Sequence, residues 1–354
     1  MKAVLDAPEI QVQSQTKPFV RRDYQADSSQ RIRRAVQSAF LLLNLWIGAQ
    51  FYLFVRHFED AGTPAVSRPP GVEGWLPIAG LMNTKYWLLT GEIPRVHPAA
   101  MVLILTFLTI SLLFRKAFCG WLCPVGTLSE WLWKLGRDTF GRNFYLPRWL
   151  DIGLRSLKYI LLGLFLYAVG SMSALAIAQF LESPYGLVAD VKMLNFFRHM
   201  GTTAAVVIGL LAFASIFIQN FWCRYLSPYG ALTGLAALLS PLRIRRSKET
   251  CIDCAKCAKA CPSRLPVDRL VQIRSAECLG CMECVAVCPV ENTLDLTLIG
   301  PKPRPVRAWM VAAGVLAVFV GVTGVAQWTG HWETPIPDWV YRELIPRARE
   351  FSHP

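Results

Sequence analysis

Between Cys251 and Pro289 the chain repeats one cysteine pattern. It reads Cys251-x2-Cys254-x2-Cys257-x3-Cys261-Pro262, then Cys278-x2-Cys281-x2-Cys284-x3-Cys288-Pro289. Three cysteines on one tight loop reach three irons of a cubane, and a distant fourth closes the site. In the bacterial two-cluster spacing, the fourth cysteine of each half serves the cluster of the other half. The spacing therefore assigns one [4Fe–4S] cluster to Cys251, Cys254, Cys257 and Cys288, and a second to Cys278, Cys281, Cys284 and Cys261. C-x2-C pairs also suit tetrahedral zinc, but zinc asks for two pairs. A triplet followed by Cys-Pro, twice over, is a different pattern. Eight of the 11 cysteines are used this way, so they give no ground for a disulfide framework.

The chain as a whole is too apolar for an ordinary soluble domain, at 53% hydrophobic and 17% charged residues. Residues 1–34 are polar and Arg-rich, without the short apolar core of a signal peptide. Five apolar segments follow: Ala35 to Val55, Pro98 to Phe114, Ile152 to Ala178, Thr202 to Phe221 and Ala308 to Trp328. Each is read as a membrane span. Residues 75–90 are read as an interfacial or re-entrant helix, and 119–141 as an amphipathic stretch along the membrane surface. The expected fold is an all-α integral membrane protein of about five transmembrane helices, carrying a small α+β ferredoxin-type domain. Its expected divisions are a cytoplasmic segment 1–34, a four-helix membrane domain 35–240, a two-cluster domain 241–300, a linker and fifth helix 301–330, and an outer tail 331–354. Residues 1–34, 115–158 and 224–307, assigned to one side, hold 28 of the 37 Lys and Arg. The excess of basic loops on the cytoplasmic face then puts the N-terminus and the cysteine run inside a bacterial inner membrane, with the C-terminus in the periplasm. Cluster assembly, which needs a reducing compartment, gives the same orientation. This bias also accounts for the net charge of +13 without a nucleic-acid partner.

Two segments align without gaps at an offset of 104: Phe118-Cys119-Gly120-Trp121-Leu122-Cys123-Pro124 and Trp222-Cys223-Arg224-Tyr225-Leu226-Ser227-Pro228. Each closes an outside-to-inside helix, so the first four spans form an internal two-helix repeat. The first copy is C-x3-C-P; the second has Ser227 in place of the second cysteine. A helical 119–123 would put Cys119 and Cys123 on one face. Cys119, Cys123 and Cys223 are candidates for a redox thiol or a metal ligand, against the alternative of small buried residues at a helix end. A symmetric four-thiolate site is excluded by Ser227. His97 and His199 take nearly equivalent places near the outer helix ends. They are candidates for a quinone or haem contact, against the plain reading of interfacial histidines. Lys256, Lys259, Arg264, Arg269 and Arg274 offer the cysteine-rich domain a basic face for a redox partner protein. No nucleotide-binding or hydrolase motif is present.

The segments FCGWLCP and WCRYLSPYG, each following a membrane helix, together with the double cysteine run, resemble the NapH/MauN-type polyferredoxin membrane proteins. The C-terminal half of NosR and the CcoG/RdxA proteins share the combination, over about residues 35–328. The resemblance implies a membrane-anchored electron-transfer protein. Its electrons would move between a quinone pool or cytoplasmic donor and a respiratory or periplasmic partner. An alternative within the same resemblance is an accessory factor that reduces a metal or thiol while a metalloenzyme matures. Ser227 departs from the paired Cys-Pro pattern.

Overall fold

The computed structural model describes residues 27–60, 63–141, 143–144, 146–300 and 304–353. The expected segment 1–34 lies mostly outside the described residues. Helix α1 (Ser29–Glu59) runs for 31 residues, about 46 Å at the α-helical rise. It turns Phe40, Phe51 and Phe54 inward and leaves Leu42, Leu45 and Trp46 exposed, as a helix facing lipid on one side should. A 3-10 turn (Pro70–Trp75) leads into α2 (Pro77–Thr90), which Gly91 ends in the left-handed region at φ 76°. Helix α3 (Pro98–Leu113) is buried along nearly its whole length. It is apolar all round, which fits the centre of a bundle.

The chain then makes a π-turn (Phe118–Leu122), α4 (Pro124–Phe140), α5 (Arg148–Ser171), α6 (Ala174–Glu182), α7 (Pro184–Leu187), α8 (Ala189–Arg198) and α9 (Thr202–Phe217). A second π-turn (Trp222–Leu226) and α10 (Pro228–Ala237) follow. Three helices are long and apolar enough to cross a membrane: α1, α5 from Trp149 to Ser171, and α13 (Ala308–Trp328). Helices α8 and α9 together pass the same test but bend by 81° at their break, and α3 is shorter. The segment expected as one span from Ile152 to Ala178 is interrupted. Extended Met172 ends α5, and Ser173 caps α6 by accepting the Ala176 N–H, a local bond that starts a new helix.

Strand β1 (Leu242–Arg246) opens the cysteine-rich unit, which holds the short helices α11 (Lys256–Ala260) and α12 (Glu283–Ala286). Strand β2 (Leu294–Leu298) closes it, antiparallel to β1 from Leu242↔Leu298 to Arg246↔Leu294. Strand β3 (Arg304–Pro305) adds to β2 and hands the chain to α13; α14 (Asp338–Leu344) follows. One apolar core runs from Phe40, Phe107 and Trp121 of the helices into Cys278, Cys284 and Leu296 of the cysteine-rich unit. The two parts are packed together, not merely linked.

Candidate metal centre

The two cysteine loops have the same backbone. In the first, Asp253 and Ala255 have φ of 53° and 54°; at the matching places in the second, Gly280 and Met282 have 62° and 58°. Left-handed turns cost a non-glycine residue about 1–2 kcal/mol, so three such residues in matched places mark a backbone held to a purpose. The turns wrap each loop round its sulfurs and aim amides inward. Cys281 accepts from the Glu283 N–H, and Cys261 accepts from Leu265 at 3.4 Å.

Cys251, Cys254, Cys257 and Cys288 line one small cavity, with Ile252, Pro289 and Val290. Cys261, Cys278, Cys281 and Cys284 line another, with Ile244, Leu265 and Ile273. These are the quartets read from the sequence spacing. Among the described residues no three His, Cys, Asp or Glu side chains converge as ligands of one metal ion. A tetrahedral zinc would draw its sulfurs to ~3.8 Å of one another. Each quartet thus surrounds a space, not a point, and its soft thiolates with inward amides fit an iron–sulfur cubane.

The quartets differ in setting. Cys254 is exposed and Cys251 and Cys257 are half-buried, whereas all four cysteines of the second quartet are buried. Burial and polar contacts with the helices put the second quartet against the membrane part. Trp121 donates from Nε1 to Gly280 O at 3.1 Å, and Gln30 from Nε2 to Cys281 O at 3.0 Å. Arg115 reaches Ile273 O at 3.2 Å and Ser275 O at 3.1 Å, and Arg224 reaches Pro262 O at 3.2 Å. Gly120 is required by closeness: a Cβ there would lie 2.6 Å from Leu279 O.

Buried charge fixes the same interface. Arg33, 1% exposed, donates to both oxygens of Glu130 at 2.8 and 2.6 Å, to Glu283 at 2.8 Å and to Gly120 O at 3.2 Å. Burial works against the Glu130 charge, but Arg33 and Lys134 outweigh it and hold the carboxyl down at about 2. Lys158 grips both oxygens of Glu277 at 2.6 Å, and Tyr159 donates to it at 3.0 Å. Burial opposes the Glu277 charge as well, yet Lys116 and Lys158 keep it below the usual carboxylate range. Sequence reading missed Arg33, Glu130, Lys158 and Glu277. The available signal was a cation inside an apolar helix, which needs a named partner.

Cys119 and Cys123 do not share an α-helical face. Residues 118–122 form a π-turn, and extended Cys123 (ψ 118°) starts α4. Pro124 is the cause, since the residue before proline is pushed out of the α region. The second copy repeats the geometry: the Ser227 N–H returns to Trp222 O at 3.1 Å as the Cys123 N–H does to Phe118 O at 2.9 Å. Cys119, Cys123, Cys223 and Ser227 all line one cavity of about 560 Å³ beside the buried quartet.

The two histidines have unlike places. His97 is 1% exposed and sits at a left-handed turn before α3, whereas His199 ends α8 at the surface. His97 Nε2 meets Gly186 O at 2.9 Å and Nδ1 meets Glu73 at 3.3 Å, so both ring nitrogens are spent inside the protein. Arg68 joins Glu73 at 2.8 Å to Asp190 at 2.6 Å in the same buried group.

A family model described as a 4Fe–4S binding domain matches twice, at residues 96–143 and 200–247. One described as a 4Fe–4S dicluster domain matches residues 244–296. YccM of Escherichia coli (strain K12), named for electron transport, is 53% identical over 326 residues, 91% of each chain. The ferredoxin-type protein NapH of the same organism is 25% identical over 189 residues, 53% of this chain and 61% of its own. The methylamine utilization ferredoxin-type protein MauN of Methylorubrum extorquens is 27% identical over 191 residues, again 53% and 61%. No solved structure matches the chain. With apolar helices of spanning length, a ferredoxin-type unit and a relative matched over nearly its whole length, the chain belongs to the YccM family of iron–sulfur electron-transport proteins, relatives of NapH and MauN.

Proposed function

We propose that this protein carries electrons between a soluble partner at its exposed cysteine quartet and a membrane-side partner of the quinone-pool or respiratory class. The observation that carries this reading is the difference in burial between the quartets, from exposed Cys254 to the enclosed Cys261, Cys278, Cys281 and Cys284. Bound [4Fe–4S] clusters supply one-electron carriers whose potentials follow burial and hydrogen bonds to sulfur. Cys251, Cys254, Cys257 and Cys288 hold one, and Cys261, Cys278, Cys281 and Cys284 the other. The exposed loop presents Asp253 and Cys254 to a partner, with Lys256 and Lys259 beside them to attract an acidic surface. Arg33, Trp121 and Lys158 keep the buried loop at a fixed distance from the helices.

Five spans, with the N-terminal side and the cysteine-rich unit in the cytoplasm and the C-terminus outside, complete the reading. They follow from the basic loops and take α3 and α9 as short spans. The double match of one family model 104 residues apart and the paired π-turns support an internal repeat. The test is an anaerobic redox titration of the purified full chain followed by electron paramagnetic resonance. Two [4Fe–4S] signals that exchange electrons with a quinol analogue or a low-potential protein donor are expected. Clusters that exchange with neither would remove the reading.

A further inference from the structure

Leu270 and Val271 of the cysteine-rich unit are 42% and 38% exposed. Their segment runs beside β1: the Arg246 N–H donates to Val271 O at 2.8 Å, and the Ile273 N–H to Ile244 O at 3.0 Å. Strand β1 starts at the helices, where Ser240 Oγ accepts the Arg115 N–H at 2.9 Å and donates to Leu113 O at 3.1 Å. Arg246 closes this five-residue strand, ~13 Å farther on at the rise of an extended chain. Leu270 and Val271 therefore stand at the end of the unit away from the helices. The exposed pair Leu298 and Ile299 lies at the opposite end, with the Ile299 N–H on Pro241 O at 2.8 Å. Lipid around the helices can cover that pair, but it does not reach Leu270 and Val271.

The end away from the helices also holds the exposed quartet. Arg246, 7% exposed, lines the cavity of Cys251, Cys254, Cys257 and Cys288. Its Nε donates to Leu270 O at 3.3 Å and its Nη1 to Asp253 Oδ1 at 3.4 Å. One buried guanidinium thus pins the apolar pair against the loop that carries Cys254. Asp268, two residues before Leu270, lines the same cavity and acts electrostatically on Cys257. Exposed Lys256 and Lys259 follow Cys254 in the chain, and exposed Arg269 and Arg274 bracket the apolar pair. The Asp253 carboxylate among them is answered by Arg246. An apolar centre within a polar rim is the make-up of a protein-docking surface, and a basic rim steers an acidic partner.

We propose that Leu270 and Val271 form the apolar centre of a docking surface for a small soluble electron-carrier protein, one whose redox group lies exposed within an acidic rim. This rests on the electron-carrier reading above and supplies the class of the soluble partner and its footprint. In each encounter the reduced carrier loses one electron and the centre at Cys251, Cys254, Cys257 and Cys288 gains it; no proton or group is transferred. Arg246 keeps the footprint in register with Cys254, so a carrier seated on the apolar pair lies beside the exposed end of the quartet. The patch is small, as suits a brief redox complex that must part after each electron.

The test is anaerobic stopped-flow reduction of the full chain in detergent by an acidic flavodoxin in its hydroquinone form, beside reduction by methyl viologen radical. The ratio of the two rates cancels any change in the centre itself. Leu270→Ser/Val271→Ser should lower that ratio ~10-fold, since the centre of an interface carries most of its energy. Arg269→Glu/Arg274→Glu should lower it ~10-fold at low salt and hardly at all at high salt, where rim charges are screened. If the apolar variant does not hold its iron, the charge variant decides. A ratio unchanged in both variants overturns the proposal. So does a wild-type dimer that Leu270→Ser/Val271→Ser dissolves in sedimentation velocity, which would make a second copy of the chain the occupant. Exchange with the quinol analogue survives either result, so the electron-carrier reading stands or falls separately.

Discussion

Replacing Arg33 by methionine removes the cation that joins three segments: α1, the carboxylate of α4 at Glu130, and the buried loop at Glu283. Glu130 and Glu283 are 12% and 18% exposed, and Lys134 still bridges them at 2.6 and 3.0 Å. Breaking a buried pair costs about 3–5 kcal/mol. Partial exposure and Lys134 place this one at the lower end, about 3 kcal/mol, or roughly 150-fold in the docking equilibrium. There is a second effect, because Arg33 acts electrostatically on Cys281. A unit charge ~7 Å away in an effective dielectric of ~20 is worth ~2.4 kcal/mol, on the order of 100 mV for one electron. Removing it should lower the potential of the buried centre and leave the exposed one nearly unmoved. Redox titration monitored by electron paramagnetic resonance reads both centres, and hydrogen exchange over residues 118–124 and 278–284 reads the docking. Arg33→Lys should restore most of the potential but only part of the docking, since it keeps the charge and loses the fork. Equal shifts in both centres, or none, would refute the assignment of Arg33 to the buried quartet.

Gly120→Ala should open the interface at Leu279 O, where its Cβ would lie 2.6 Å away; faster exchange at 278–284 with normal iron content is the expected signature. Cys254→Ser should lower the iron content and remove the signal of the exposed centre while the buried one stays, because Cys254 lines only the first cavity. The outer group of Arg68, Glu73 and His97 should make stability depend on pH in two windows. Burial opposes the Glu73 charge, but Arg68 and His97 hold its carboxyl at about 2. Its contribution is thus present above ~4.5 and lost as pH falls from there toward 2. Burial likewise opposes the His97 charge, yet Glu73 raises its proton affinity above the ordinary value. That contribution is full below ~6.5 and lost as pH rises through the raised value. Thermal unfolding in detergent measures both; His97→Gln should abolish the upper window and shrink the lower one, which Arg68 still supports.

The cysteine loops were legible because cubane ligation fixes spacing so tightly that a local pattern implies a local fold. Cys288 lines a cavity with the first three cysteines and Cys261 one with the second three. The matching segments around Cys123-Pro124 and Ser227-Pro228 were legible as sequence, but their geometry was not. An i, i+4 reading of Cys119 and Cys123 assumed an α-helix, whereas residues 118–122 form a π-turn and Pro124 holds Cys123 extended. Likewise Ile152 to Ala178 reads as one apolar run, and hydropathy does not register a serine able to cap a new helix at residue 173. The equivalence of His97 and His199 also held only along the chain, since a left-handed turn buries the first and a helix end exposes the second. The ion pairs of Arg33 and Lys158 were invisible for another reason. Their partners lie 97 and 119 residues away, and only the packed fold brings them together.

Strands β1 and β2 pair at their far ends, Leu242 against Leu298, so the cysteine-rich unit enters and leaves at one point. Topologically it is a cassette. Removing it would leave two neighbouring chain ends that a tight turn could join, with α10 and α13 undisturbed. The separate match of one family model to residues 244–296 and of another to the helical stretches follows the same seam. Such a unit can be exchanged for another carrier during evolution without redesigning the helices. Its contacts with Gly120, Trp121 and Arg224 would then be what a newcomer must match, and they mark which surface of a transplanted cassette has to be recut.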